Sequence, residues 1–196
     1  MHTSPNRKQA THERIVAAAA RAIRRAGFQG VGVADIMKDA GLTHGGFYAH
    51  FASRNALLAE ALAQAGEDSA ASLATSLALR QARGASPLRA VVDAYLSDRH
   101  LAATDSGCPV AALVSDMPRQ APEVREAAAQ RVRGLVAMVA RALPAGAAAD
   151  SAAVIAGQLV GALQLARALG DNAEGRALLA ATRRAVLAQH DNPATT

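Results

Sequence analysis

Apolar side chains recur every three or four residues along most of this chain. Ile15, Val16, Ala19, Ala22, Ile23 and Ala26 share one face behind Thr11, so a first helix is expected from Thr11, its N-cap, to Gly27. Val33, Ile36, Met37 and Ala40 mark a short second helix ended by Gly41. Thr43 then caps a short third helix over 44–51, in which Phe47, Tyr48 and Phe51 lie three or four apart. Gly41 supplies the left-handed conformation that a sharp break needs, and Leu42 plugs the wedge. Two short helices joined by such a turn form a helix-turn-helix pattern, although two plain core helices would share the spacing.

Beyond Ser53 the pattern predicts a fourth helix over 54–79 and a fifth from Pro87, at its first turn, to 103. A sixth opens at Cys108 and Pro109 and ends near Met117 and Pro118; a seventh spans 123–143, an eighth 150–169 and a ninth 173–189. Residues 191–196 are expected to form a loose tail. About nine helices and no strands make the fold class all-α, divided into a helix-turn-helix domain over 1–53 and a helical body over 54–196. The 52 alanines, with few β-branched or aromatic residues, agree with it.

Charge and aromatics separate the same two parts. Residues 1–54 hold eight Lys and Arg against three Asp and Glu, whereas 55–196 hold thirteen of each. Four of the five aromatics (Phe28, Phe47, Tyr48, Phe51) and four of the six histidines also fall in the first part. A basic end on a neutral remainder suits a polyanion-binding module, since phosphate neutralisation supplies most non-specific nucleic-acid affinity. A solvated basic face gives the same balance.

Other classes drop out. A single cysteine, Cys108, forms no intramolecular disulfide and no cysteine-rich zinc site, and no metal or cofactor motif is present. The polar segment Met1–Gln9 lacks the apolar region of a secretory signal, which makes the cytoplasm the expected compartment. The apolar stretch 152–169 carries Gln158, Gln164 and Arg167 and falls short of the roughly 20 residues of a membrane span, so no membrane partner is expected.

The segment Thr11–Leu58 resembles the N-terminal domain of TetR-family transcriptional regulators. The likeness lies in Gly27-Phe28, Asp35-Ile36, Ala40-Gly41-Leu42-Thr43, Phe47-Tyr48-x-His50-Phe51 and Ser53-Arg54. It implies a dimer whose third helices enter successive major grooves of a palindromic double-stranded operator. By position, Thr43 and His44 would meet phosphates or base edges, and Tyr48 and His50 would hold the backbone. Arg54 would add a phosphate contact, and Thr11 would cap the first helix beside the DNA. Gly45 and Gly46 each cost about 1 kcal/mol of helix propensity, which close approach to DNA would justify. Val31-Gly32 stands where the family commonly has a capping Thr-Ser pair, and His44 replaces a usual Lys.

The resemblance also implies an effector pocket among the fifth to seventh helices and a homodimer through the eighth and ninth. Pocket candidates are Tyr95, Leu96, Arg99, His100, Cys108, Val110, Leu113, Met117, Leu135 and Met138, although such a stripe also suits plain core. With Tyr95 the sole aromatic there, a small or aliphatic effector is expected. The eighth helix, with Val154, Ile155, Leu159, Val160, Leu163, Leu165 and Leu169 around it and Gly157 and Gly161 allowing close approach, suits burial on two sides. A repressor released by a small molecule is the expected function. Two alternatives use Cys108: a thiol sensor activated by the helix N-terminus, like a Gly-Cys motif in a branch of the family, or an enzyme pairing it with His100 and Asp98 or Asp105.

Overall fold

The computed structural model describes residues 7–191 and is all-helical there. The tail expected from 191 onward lies almost entirely outside the described residues. Helix α1 (Arg7–Ala26) is followed by α2 (Val33–Asp39) and a 3-10 segment, His44–Ala49. The body follows as α3 (Arg54–Gln81), α4 (Pro87–Tyr95), α5 (Asp98–Ala102) and α6 (Pro109–Leu113). A 3-10 turn, Met117–Arg119, leads to α7 (Pro122–Ala142), α8 (Ser151–Leu169) and α9 (Ala173–His190).

Four boundaries differ from expectation. α1 begins at Arg7, so Thr11 lies inside it and donates its hydroxyl to the Arg7 carbonyl at 2.8 Å instead of capping the helix. The third helix winds as 3-10 and stops at Ala49, in keeping with the weak helix propensity of Gly45-Gly46. The fifth breaks after Tyr95, because Ser97 accepts from the His100 amide and donates to the Ala94 carbonyl, starting a new helix. The sixth is α-helical only to Leu113; Pro118 disfavours helix at Met117 and has no N–H of its own.

Side-chain caps mark three of the other starts. Ser53, Ser86 and Asn172 accept from the first-turn amides of α3, α4 and α9. Gly32 precedes α2 without a side-chain cap, as its Val31-Gly32 sequence implied, and Gly41 turns at φ +69°.

Two apolar clusters fill the molecule. One joins Ile15, Ile23, Phe28, Ile36, Phe47 and Phe51 to the first half of α3 and to Leu113, Met117 and Val124. The other gathers Leu88, Tyr95, Leu96 and Leu101 with Ile155, Leu159 and Leu163 of α8 and Leu179 and Val186 of α9. α6 and the turn after it run from the second cluster into the first: Val110 belongs to one, Leu113 and Met117 to the other.

Candidate nucleic-acid interface and effector cavity

Phe47 and Phe51 stack at 5.6 Å between ring centroids and are buried, which fixes the roll of the 3-10 segment. Its other side is turned outward. Thr43, His44 and Gly45 are exposed, Gly46 and His50 are partly buried, and Tyr48 is 75% exposed with its ring edge-on to Phe47 at 5.1 Å. A Cβ on Gly45 would meet open space, so the backbone there is bare to an approaching surface.

Behind this face, His12 of α1 stacks on Phe51 at 4.4 Å and holds Glu60 of α3 at 2.6 Å. His50 has its Nδ1 buried without a partner, and burial, then His12 and Lys8, lower its pKa. Arg54 is occupied within the fold. Its guanidinium donates to the carbonyls of Phe28 and, at 3.2 Å, Val31, pinning the loop between α1 and α2.

In the body, a cleft of about 890 Å³ opens among α1, α3, α4, α5, the α5–α6 loop and α7. Tyr95, Arg99, His100, Cys108, Val110, Leu135 and Met138 line it as expected. Leu96, Leu113 and Met117 do not. Leu96 is fully buried in the body cluster, while Leu113 and Met117 lie in the cluster of the N-terminal domain. The break after Tyr95 leaves Leu96 outside α4, Met117 lies beyond the end of α6, and Leu113, still on α6, packs into the other cluster.

At its inner wall Tyr95 is buried, and its hydroxyl has no partner in hydrogen-bonding geometry. Burial first, and the neighbouring Cys108 second, push the Tyr95 hydroxyl well above its usual pKa, leaving a neutral phenol. His100 accepts the Cys108 amide at 3.0 Å through Nε2 and faces the Tyr95 carbonyl at 2.8 Å through Nδ1. Those contacts require the neutral ring with its proton on Nδ1, and burial lowers the His100 pKa to about 4. Both ring nitrogens are thus committed to backbone, which leaves neither for the thiol or carboxylate of a catalytic triad. Arg167 of α8 donates to the carbonyls of His100 and Ala103 at 2.8 and 2.9 Å, tying α8 to this wall.

Gly-rich turn, aromatic 3-10 segment and helical body match known proteins along nearly the whole chain. The family model "Bacterial regulatory proteins, tetR family" matches residues 15–61, and "Tetracyclin repressor-like, C-terminal domain" matches 84–182. An uncharacterized HTH-type transcriptional regulator of Mycobacterium tuberculosis is 33% identical over 177 residues, 83% of this chain and 87% of that protein. The chain belongs to the TetR family. It is a helix-turn-helix, DNA-binding transcriptional regulator. The reduced form of Escherichia coli NemR shares the fold at a TM-score of 0.74, with 22% identity over 95% of this chain and 100% of that one. A TetR regulator from Chloroflexus aurantiacus does so at 0.72, with 23% identity over 92% and 94%.

Beyond Arg99 and His100, the polar side of this TetR-family cleft comes from residues not expected there. Arg21 and Arg24 reach it from α1, Asp68 from α3, and Arg131 and Arg141 from α7. Arg24 is 6% exposed; it donates to the Ala65 carbonyl at 3.2 Å, meets Asp68 at 3.5 Å and keeps a buried, partnerless Nε. Its pKa is lowered by burial, which Asp68 and Asp105 partly oppose and Arg21 reinforces. One signal was available in the sequence: Gly66, mid-helix in α3, sits where a Cβ would come within 2.6 Å of Arg131.

Proposed function

We propose that this protein is a dimeric, ligand-responsive repressor that binds a palindromic operator and leaves it when a small molecule fills the cleft. The observation that carries the ligand response is the placement of α6 and its following turn. Val110 lines the cleft at one end, while Leu113 and Met117 are packed with Phe28 and Ile36 of the DNA-binding domain's cluster at the other. A ligand that displaces one end moves the other, and the bound population shifts away from the spacing that fits two major grooves. α3 shares both regions and would swing with it.

For DNA, Thr43, His44, Gly45, Gly46 and Tyr48 form the reading face, with Thr11 and His50 at its edge toward the backbone. Arg54 acts by holding the loop that orients α2, in place of the direct phosphate contact its position suggested. The DNA-binding part spans 1–53 and the effector-binding and dimerising part 54–196. Dimerisation through α8 and α9 is supported by Val154 and Leu165, exposed on α8 at 50% and 60%, with Gly157 and Gly161 open between them. That face also accounts for the one described helix long and apolar enough to cross a membrane. A regulator of this kind works beside the chromosome, in the cytoplasm, and no catalysis is assigned to it.

Binding to its own promoter fragment, followed by fluorescence anisotropy, tests the reading. Tyr48→Ala should weaken binding at least about tenfold, and Leu165→Asp should yield a folded monomer that fails to bind. Undiminished binding by both variants would remove the assignment. A thiol sensor is the second reading, favoured by Cys108 lining the cleft against the Tyr95 hydroxyl. Mass spectrometry after mild electrophile treatment, with DNA release followed in parallel, decides it; modification without release rejects the sensor.

A further inference from the structure

Although charges in the body balance, the cleft within the fold does not. Five arginines line it (Arg21, Arg24, Arg99, Arg131 and Arg141) against one carboxylate, Asp68. Asp68 is already engaged by Arg24 and by the Gln64 amide at 2.9 Å. Among the described residues no carboxylate forms an ion pair with Arg21, Arg99, Arg131 or Arg141. Arg131 makes one long contact, 3.5 Å to the Ala63 carbonyl, and its Nε is buried without a partner. Cations gathered in a recess strengthen one another's field, and a buried N–H without an acceptor, such as the Arg131 Nε, carries an uncompensated desolvation cost. Aliphatic side chains, Leu73, Leu77, Val91, Leu135 and Met138, also line it, alongside several serines and two glutamines.

We propose that the ligand of this cleft is an amphipathic carboxylate whose head is held by Arg131 beside Arg24 and Arg21, and whose apolar part lies along those aliphatic side chains. The proposal rests on the effector reading given above. A carboxylate matches the planar fork of a guanidinium and offers the acceptors that Arg131 lacks. A neutral molecule could accept one hydrogen bond but would leave the positive charge uncompensated, and a cation would be repelled. The volume, about 890 Å³, is that of a small-molecule site. Arg24 and Arg131 also meet α3 within one turn, at Ala65 and Ala63, from α1 and α7 respectively. An anion there competes with Asp68 for Arg24, so the same charge that anchors the ligand pulls on the first helix of the DNA-binding domain.

Titration calorimetry of the full chain with octanoate, octanol and octylammonium tests this. Octanoate should bind at least about tenfold more tightly than either of the others. Arg131→Gln should erase most of that preference, a loss of about tenfold to a hundredfold for a charged hydrogen-bonded pair, and Arg131→Lys should keep much of it. Octanol affinity within about twofold of the parent shows that the variant's cleft is intact. Octanol or octylammonium binding as well as octanoate, or an unchanged preference in Arg131→Gln, overturns the anionic head and leaves the effector reading standing. Failure of all three probes to bind overturns the amphipathic carboxylate, while the effector reading is judged separately by whether any ligand of the cleft releases the promoter fragment.

Discussion

The two ends of this molecule are built on opposite terms. The DNA-binding domain packs three phenylalanines and a run of Ile, Met and Ala into one cluster, and it turns the exposed groups of one short segment outward. The body packs an aliphatic cluster beside an open cleft and carries polar groups inward, Tyr95, His100 and Arg131 among them, where Arg24 of α1 joins them. A part that must present a fixed surface to DNA gains from dense packing. On the proposed function, the part that admits a ligand gives up packing there, and its unsatisfied donors are the groups that would recognise it.

The sharpest break of that comparison is Phe47→Ala. Removing a buried ring from the dense cluster should cost about 3–5 kcal/mol in urea unfolding at fixed protein concentration. Met138→Ala, on the open cleft wall, should cost much less, and equal costs would show the two regions to be alike.

Acid gives the next largest effect, and it belongs to the body. Burial holds His100 neutral with a pKa near 4 against an unfolded value of 6.5, so on acidification the unfolded chain takes up the proton first. Stability contributed by this site is complete above about pH 6.5 and falls by up to roughly 3 kcal/mol as the pH drops to about 4, then levels off. His50 in the DNA-binding domain is lowered in the same sense. His100→Gln should flatten the steeper part of the slope; an unaltered pH profile would contradict a neutral, backbone-bound His100.

Arg54→Ala and Tyr48→Ala then separate holding the surface from being the surface. Arg54→Ala breaks charged hydrogen bonds to the Phe28–Val31 loop and should lower stability by about 2 kcal/mol while weakening operator binding. Tyr48→Ala, at an exposed position, should change stability by less than about 0.5 kcal/mol yet lose as much DNA affinity or more. Equal stability losses in the two would erase the distinction.

Much of this was legible in the residues. Apolar spacing located every long helix to within a few positions, and Gly41, Ser53 and Pro87 marked their ends, because periodicity and capping are local properties. The short elements were less so. Ser97 broke one expected helix and another ended early, which left Leu96 and Met117 off the helices expected to carry them, while Leu113 stayed on α6 and packed into the other cluster.

By itself, then, the sequence determined an all-helical chain with a basic, aromatic DNA-binding end and a neutral body, since local spacing and composition suffice for that. Tertiary structure alone decided that a basic cleft opens between the neutral body and α1. Arg24 and Arg131 stand 107 positions apart and lie on polar stretches of amphipathic helices, so each reads as an ordinary surface cation. Only the packing of α1 and α7 against the same turn of α3, with Gly66 leaving room for Arg131, brings them together and withdraws them from water.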